Sequence, residues 1–265
     1  MAFFIRDDDV RLFHTDEGSG PAVLLLHGWA CDSHDWSWQI PDLLTQGYRV
    51  IALDHRGHGR SSAPRGDYLP QTLADDAAAL IEALGIGHVL VLGHSMGAVV
   101  GSALAVRRPD LVRALVLVDP VYTADDLTDP VVEAMSGPGA AGIAAEAFGG
   151  AFYTPRTPPF LRAWHRRRVL GTPDHVVGGC IHGLLGSEGL GRWRNAAGYL
   201  RDRTCPRLAV YADAKGADRE RQLPLGPYDK VEVWEKNGHF LHQENAERFN
   251  SRMRSWLNAL PGAPS

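Results

Sequence analysis

Cysteine is scarce in this chain of 265 residues. Its three cysteines, Cys31, Cys180 and Cys205, are too few and too scattered for a disulfide framework, and they lack the close spacing of a structural zinc site. We therefore expect free thiols and predict no metal. A glycine-rich phosphate loop and a dinucleotide fingerprint are lacking as well, so no cofactor is predicted.

Long apolar runs and a strong excess of one charge are also lacking. No stretch approaches the roughly 20 apolar residues of a membrane-spanning helix. Acidic residues at 7–9 interrupt the short apolar run near the start, which argues against a signal peptide. We therefore expect a soluble, cytoplasmic protein without a membrane partner. The formal net charge of −4 gives no electrostatic reason to expect nucleic acid as a partner.

Strand patterns recur along the chain and alternate with helical patterns. Short runs of β-branched and aliphatic residues predict strands at 23–26, 49–53, 88–92, 114–118, 208–211 and 230–234. A hairpin over 3–6 and 10–15 is predicted before them, and the predicted helices include 73–84 and 244–260. This alternation predicts an α/β fold: a mostly parallel, twisted sheet with helices on both faces.

The stretch 121–203 breaks this alternation. It is too long for a loop, shows no clear strand, and mixes segments rich in alanine and glycine with prolines. We predict that it forms a helical cap inserted into a core domain made of residues 1–120 and 204–265. Within the cap, Trp164 is expected to face a bound substrate, and the arginines at 166–168 are expected to lie in solvent.

Residues 93–97 (Gly-His-Ser-Met-Gly) stand directly between a predicted strand and a predicted helix. This context is typical of a nucleophile elbow, in which a sharp, strained turn exposes a serine hydroxyl. The flanking glycines fit such a turn because larger side chains there would collide with the packed strand and helix. Ser95 is therefore the candidate nucleophile.

A nucleophilic serine needs donors for the negative charge that develops on the attacked carbonyl oxygen. The amide of Met96 follows Ser95 at a helix N-terminus, and the amide of Trp29 follows the first buried strand. We predict that these two amides form the oxyanion hole. The Trp29 indole is also expected to line the substrate pocket.

The general base is expected to be a histidine late in the chain, on a loop after a strand. His239 follows the predicted strand 230–234 and precedes the last helix, and its unperturbed pKa near neutrality suits proton transfer. Phe240, the next residue, is expected to contact substrate.

Four motifs in sequential order resemble those of the α/β-hydrolase fold superfamily. They are residues 27–28 (His-Gly), 54–61 (Asp-His-Arg-Gly-His-Gly-Arg-Ser), 93–97 and 238–240 (Gly-His-Phe). The resemblance covers nearly the whole chain and implies a triad of nucleophile, acid and histidine. That fold hosts hydrolases, lyases, cofactor-free oxygenases and hormone receptors, so the resemblance does not determine the reaction.

The acid of the triad departs from the pattern that is commonest in the superfamily. The usual acid position, after the strand 208–211, is Lys215, which cannot accept the imidazole proton. Asp119 ends the strand 114–118, where a minority of the superfamily, including haloalkane dehalogenases and zearalenone lactonases, carries its acid. We predict Asp119 as the acid, with Asp213 and Asp218 as alternatives.

The resemblance and the site residues together predict a serine hydrolase that acts on a small, apolar carboxylic ester or lactone through an acyl-enzyme. Two alternatives remain open. A cofactor-independent dioxygenase would use His239 and Asp119 to deprotonate a hydroxylated heteroaromatic ring, and a noncatalytic receptor would only bind a small ligand. The sequence gives no indication of the oligomeric state.

Overall fold

An eight-stranded sheet forms the centre of the computed structural model, which describes residues 2–7 and 9–261. The strands are β1 (Ala2–Ile5), β2 (Arg11–Glu17), β3 (Ala22–Leu26), β4 (Arg49–Leu53), β5 (Val89–His94), β6 (Val112–Val118), β7 (Arg207–Tyr211) and β8 (Lys230–Val233). Their spatial order is β1-β2-β4-β3-β5-β6-β7-β8. The β1–β2 and β2–β4 pairs are antiparallel, and all other pairs are parallel. The predicted α/β fold is confirmed.

Helices cover both faces of the sheet. They are α1 (Gln39–Thr45), α2 (Pro70–Ala83), α3 (Met96–Arg107), α4 (Asp129–Ala134), α5 (Ala140–Ala151), α6 (Pro159–Gly171), α7 (Asp174–Leu185), α8 (Trp193–Tyr199), α9 (Ala214–Arg221), α10 (Leu241–Glu244) and α11 (Ala246–Leu257). Helices α2 and α3 bury their apolar residues in one core layer, and α1 and α11 bury theirs in the other. The predicted helix over 244–260 is interrupted at Asn245, whose backbone is not helical.

Strands β3 and β5 are buried along their whole length, because core layers cover them on both faces. Both end at the same edge of the sheet, since β3 and β5 are parallel and Leu26 is paired with Gly93. The carboxyl edge of such a sheet is the usual place for a ligand. The loops that follow β3, β5 and β6 therefore lie next to one another.

Between β6 and β7, residues 121–203 form helices α4 to α8; we refer to this range as the cap segment. Within the described residues it contains one isolated bridge, between Ala124 and Arg192, and no strand. In the same described ranges, no helix is long and apolar enough to cross a membrane.

The arginines at 166–168 do not all lie in solvent as expected. Arg166 does, but Arg168 is largely buried and forms an ion pair with Asp35 of the core, and it also lies 3.4 Å from Asp32. The reason is that the face of α6 that carries Arg168 packs against the loop after β3. The carboxylates of Asp32 and Asp35 lie in this loop and attract the guanidinium.

Candidate active site

The turn between β5 and α3 is strained at one residue. Ser95 has φ +52° and ψ −117°, a backbone conformation that side chains rarely adopt. The flanking glycines permit it: a Cβ at Gly97 would lie 2.2 Å from the carbonyl oxygen of Leu26, and one at Gly93 would lie 2.4 Å from the carbonyl oxygen of Gly97. The strained turn therefore depends on direct backbone contact between α3, β3 and β5.

The two predicted oxyanion donors lie on either side of this turn. A Cβ added to Gly28 would lie 3.4 Å from the Cβ of Ser95, so the loop that carries Trp29 packs directly on the serine. Across residues 2–7 and 9–261, neither the Trp29 nor the Met96 amide donates to a protein acceptor. Met96 is the first residue of α3, where the helix dipole also favours negative charge. The oxyanion role of the two amides stays a prediction.

A short hydrogen bond joins two of the predicted triad residues. The Nδ1 atom of His239 lies 2.6 Å from Oδ2 of Asp119. Because a carboxylate can only accept, the proton belongs on Nδ1 and the lone pair on Nε2. The other carboxylate oxygen of Asp119 accepts from the amide of Ala212 at 2.8 Å, which fixes the carboxylate plane.

The alternative acids are used elsewhere. Asp213 caps the N-terminus of α9 by accepting from the amide of Gly216 at 2.9 Å. Asp218 is exposed and pairs with Arg221 on the same helix. Lys215, at the usual acid position, lies 3.7 Å from Asp125 of the cap segment. The structure therefore places Asp119, and neither alternative, against His239.

Hydrogen bonds connect the segments that carry the three candidate residues. The amide of Ser95 donates to the carbonyl oxygen of Val118, the residue before Asp119, at 2.8 Å. The imidazole of His94, the residue before Ser95, donates from Nε2 to the carbonyl oxygen of His239 at 3.0 Å. The loops after β5, β6 and β8 are thus joined directly at the carboxyl edge of the sheet.

The carboxylate of Asp35 and the guanidinium of Arg168 form a buried ion pair next to His94. Burial depresses the pKa of the His94 imidazole far below its ordinary value, with further lowering from neighbouring histidines, so the ring is neutral. Its Nδ1 atom lies 3.9 Å from the carboxylate of Asp35. Burial is the largest influence on the pKa of Asp35 and would raise it, but Arg168 and the neighbouring histidines together outweigh burial and keep that pKa below its ordinary value. The sequence motifs gave no signal for this pair.

Trp164 does not occupy the position expected from the sequence. It is 42% exposed, stacks on Trp38 at 6.1 Å between ring centroids, and meets Phe160 edge-on. It thus packs between the outer surfaces of cap and core. The face of α6 that carries Trp164 packs against Trp38. These two residues are far apart in the sequence, and helical periodicity cannot predict such a contact.

Phe240 also differs from the expectation of substrate contact. It is 1% exposed and stacks on His165 of the cap segment at 3.7 Å between ring centroids, so it packs inside the cap–core interface. Trp29 lies at the same interface, where its indole donates to the carbonyl oxygen of Val177 and its ring lies 5.6 Å from Phe148.

An aromatic side chain of the cap segment lies directly against the candidate base. Phe152 stacks on the imidazole of His239, with 4.6 Å between ring centroids and 27° between planes. Phe148 packs edge-on against Phe152 at 4.7 Å. Together with Trp29 they form an aromatic row from the predicted oxyanion loop to His239. Phe148 lies on α5 and Phe152 directly follows that helix, four residues later.

Comparison with known proteins agrees with this architecture. A family model described as alpha/beta hydrolase fold matches residues 21–145. A thermophilic esterase from Thermogutta terrifontis superimposes with a TM-score of 0.83 at 26% identity, over 94% of this chain and 93% of that one. The chain has the α/β-hydrolase fold. An esterase from Exiguobacterium antarcticum, another solved structure of this fold, gives a TM-score of 0.84 at 25% identity, over 98% of this chain and 100% of that one.

Sequence similarity to curated members of the superfamily is confined to part of the chain. A non-heme haloperoxidase from Rhodococcus erythropolis is 42% identical over 97 residues, which are 37% of this chain and 35% of that protein. The chain thus spans about a third of the length of the first curated relatives it matches. The α/β-hydrolase fold therefore leaves the reaction to be argued from the site.

Proposed function

We propose that this protein is a serine hydrolase that cleaves a carboxylic ester or lactone. The observation that carries the proposal is the 2.6 Å contact between His239 and Asp119, beside a serine held at a strained turn. Nucleophile, histidine and acid follow the roles of a catalytic triad, with the acid after β6. The esterases among the similar structures support this reaction class.

In the proposed reaction, the hydroxyl oxygen of Ser95 attacks the carbonyl carbon while Nε2 of His239 takes the hydroxyl proton. The amides of Trp29 and Met96 bind the oxyanion of the tetrahedral intermediate. The ester C–O bond then breaks, and His239 returns the proton to the leaving oxygen. Water attacks the acyl-enzyme by the same route. Asp119 keeps the proton on Nδ1 and stabilises the imidazolium. None of these steps requires a metal or a cofactor.

The substrate in this proposal is a small molecule with an apolar acyl or alcohol group. The aromatic row of Trp29, Phe148 and Phe152 borders the site, and such surfaces bind apolar groups. A lactone fits as well as an open-chain ester, since the attacked carbonyl is the same.

We further propose that the protein is cytoplasmic, as expected from the sequence. Fractionation of cells that express the full-length protein tests this location.

Replacement of the nucleophile tests the proposal. Ser95→Ala should lower the hydrolysis of short aryl esters by several orders of magnitude while the circular dichroism spectrum stays unchanged. Ser37→Ala is the matched control, because its hydroxyl is exposed and, among the described residues, donates to the carbonyl oxygen of His34 alone. Near-normal turnover by Ser95→Ala would exclude serine catalysis.

The same variant separates the two alternatives. A dioxygenase that uses only His239 and Asp119 would consume oxygen with a hydroxyquinolone whether or not Ser95 is present. A receptor would bind ligand without turnover in both wild-type protein and variant. Ester hydrolysis that depends on Ser95, with no uptake of oxygen, supports the hydrolase.

A further inference from the structure

The loop that carries His239 is held by the cap segment as well as by the core. We define residues 237–244 as the histidine loop. The amide of His239 donates to the carbonyl oxygen of Phe152 at 2.9 Å, and the ring of Phe152 stacks on the imidazole. On the opposite side, His94 of the core donates to the carbonyl oxygen of His239. Both main-chain polar groups of the candidate base therefore have partners outside its own loop.

A second contact from the cap segment passes through Glu244. The buried hydroxyl of Thr157 donates to one carboxylate oxygen of Glu244. The other oxygen accepts from the amide of Gly238 at 2.6 Å. The side chain of Glu244 thus joins the cap segment to the residue directly before His239.

The cap segment and the histidine loop are in close contact at Gly238, where no larger residue would fit. A Cβ at Gly238 would lie 2.6 Å from the carbonyl oxygen of Phe152 and 2.6 Å from the carboxylate of Glu244. Three residues further, Leu241 begins α10, and Gln243 of the same helix contacts His165 of the cap segment at 3.1 Å. The histidine loop is therefore enclosed by the stretch from Phe152 to His165.

We propose that Phe152 and Thr157 are positioning residues for His239, so that the cap segment holds the base in place in addition to covering the site. The inference rests on the proposed function. It requires the connection between α5 and α6 to stay docked through turnover. Movement that admits substrate then belongs to other parts of the cap segment, because undocking this connection would release His239.

The first test removes the hydroxyl of Thr157 while keeping its shape. Thr157→Val should lower kcat by about tenfold or more and leave KM within about threefold, since small displacements of a catalytic group have effects of this order. Thr157→Ser should restore the rate. Thr172→Val is the matched control: Thr172 is a buried residue of the cap segment whose hydroxyl, within the part of the chain that the structure describes, hydrogen-bonds only to the carbonyl oxygen of Arg168.

A second variant, Phe152→Leu, tests the proposal independently in case Thr157→Val does not fold. Phe152→Leu keeps the main-chain carbonyl and an apolar side chain but removes the ring that lies on the imidazole. It should also lower kcat more than it raises KM, and it should shift the pH dependence of kcat/KM. All rates are measured well below the melting temperature of each variant, so a contact that only stabilises the cap would leave them unchanged.

A readout independent of turnover is the low-field proton resonance of the hydrogen bond between His239 and Asp119. It should be present in wild-type protein, absent in Asp119→Asn, and shifted or broadened in Thr157→Val and Phe152→Leu. Unchanged kcat and an unchanged resonance in both variants would overturn the proposal, as would a lower kcat with the resonance unaltered. If the wild-type protein hydrolysed no ester, the proposed function would fail, while the resonance would still test the positioning.

Discussion

Five histidines with strongly depressed pKa values predict that this protein loses stability in mild acid. Burial is the largest cause at each of them, and it outweighs the opposing charge of Asp35 at His165 and His242. It lowers the pKa of His58 and His242 to about 3 and that of His165 to about 4, and it holds the pKa values of His55 and His94 well below the ordinary value. All five side chains are therefore neutral in the folded protein at pH values where a histidine in the unfolded chain is protonated.

The sign and size follow from proton linkage. Each histidine binds a proton in the unfolded chain below about pH 6.5 but binds none in the folded protein until much lower pH, so stability falls as pH falls. At pH 5, about 1.5 pH units below the unfolded value, each contributes a loss of about 2 kcal/mol relative to pH 8. Five such groups total about 10 kcal/mol, which is comparable to the whole stability of an ordinary domain. We therefore expect acid unfolding near pH 5.

Urea unfolding followed by tryptophan fluorescence at pH 8, 7, 6 and 5 measures this loss. His242→Gln should reduce the slope of unfolding free energy against pH by about 1.2 kcal/mol per unit between pH 6 and 5, whatever its effect on overall stability. His34→Gln is the control, because His34 lies in solvent. A change of less than about 2 kcal/mol in unfolding free energy between pH 8 and 5 would refute the reasoning, since one buried neutral histidine alone accounts for that much.

Three substitutions test other parts of the structure. Asp119→Asn should lower kcat roughly 10⁴-fold, the scale seen for the equivalent change in another serine hydrolase, while Asp213→Asn stays within about tenfold of wild type in the same ester assay; the reverse ranking would move the acid to the later loop. Trp164→Ala should lower the unfolding free energy by about 1 kcal/mol through loss of its stacking on Trp38, yet leave KM for bulky aryl esters unchanged in steady-state kinetics. Gly97→Ala should prevent folding, as judged by circular dichroism, because its Cβ would lie 2.2 Å from a main-chain oxygen.

Local pattern was enough to predict the fold and the elements around the site. The strands are runs of apolar, often β-branched residues between glycine-rich turns, and their order places the loops after β3, β5 and β6 at one edge of the sheet. The order of the motifs and the lysine at position 215 favoured Asp119 as the acid. The structure places Asp119 against His239. Helix boundaries were less accurate, as the break at Asn245 shows.

Contacts between cap and core could not be predicted in this way. Arg168 and Trp164 share α6, yet one is buried against Asp35 and the other is partly exposed on Trp38. Which residue is buried depends on the surface that each meets across the interface, and helical periodicity carries no information about that surface. Phe152 lies on His239 for the same reason: its position depends on how the cap segment docks.

Labelling with a fluorophosphonate probe tests the central claim, that Ser95 is a nucleophile activated by His239 and Asp119, most directly. The account predicts a single adduct that mass spectrometry maps to Ser95, abolished in His239→Ala and formed much more slowly in Asp119→Asn. A folded wild-type protein that takes up no probe, or that takes it up at another residue, would contradict it.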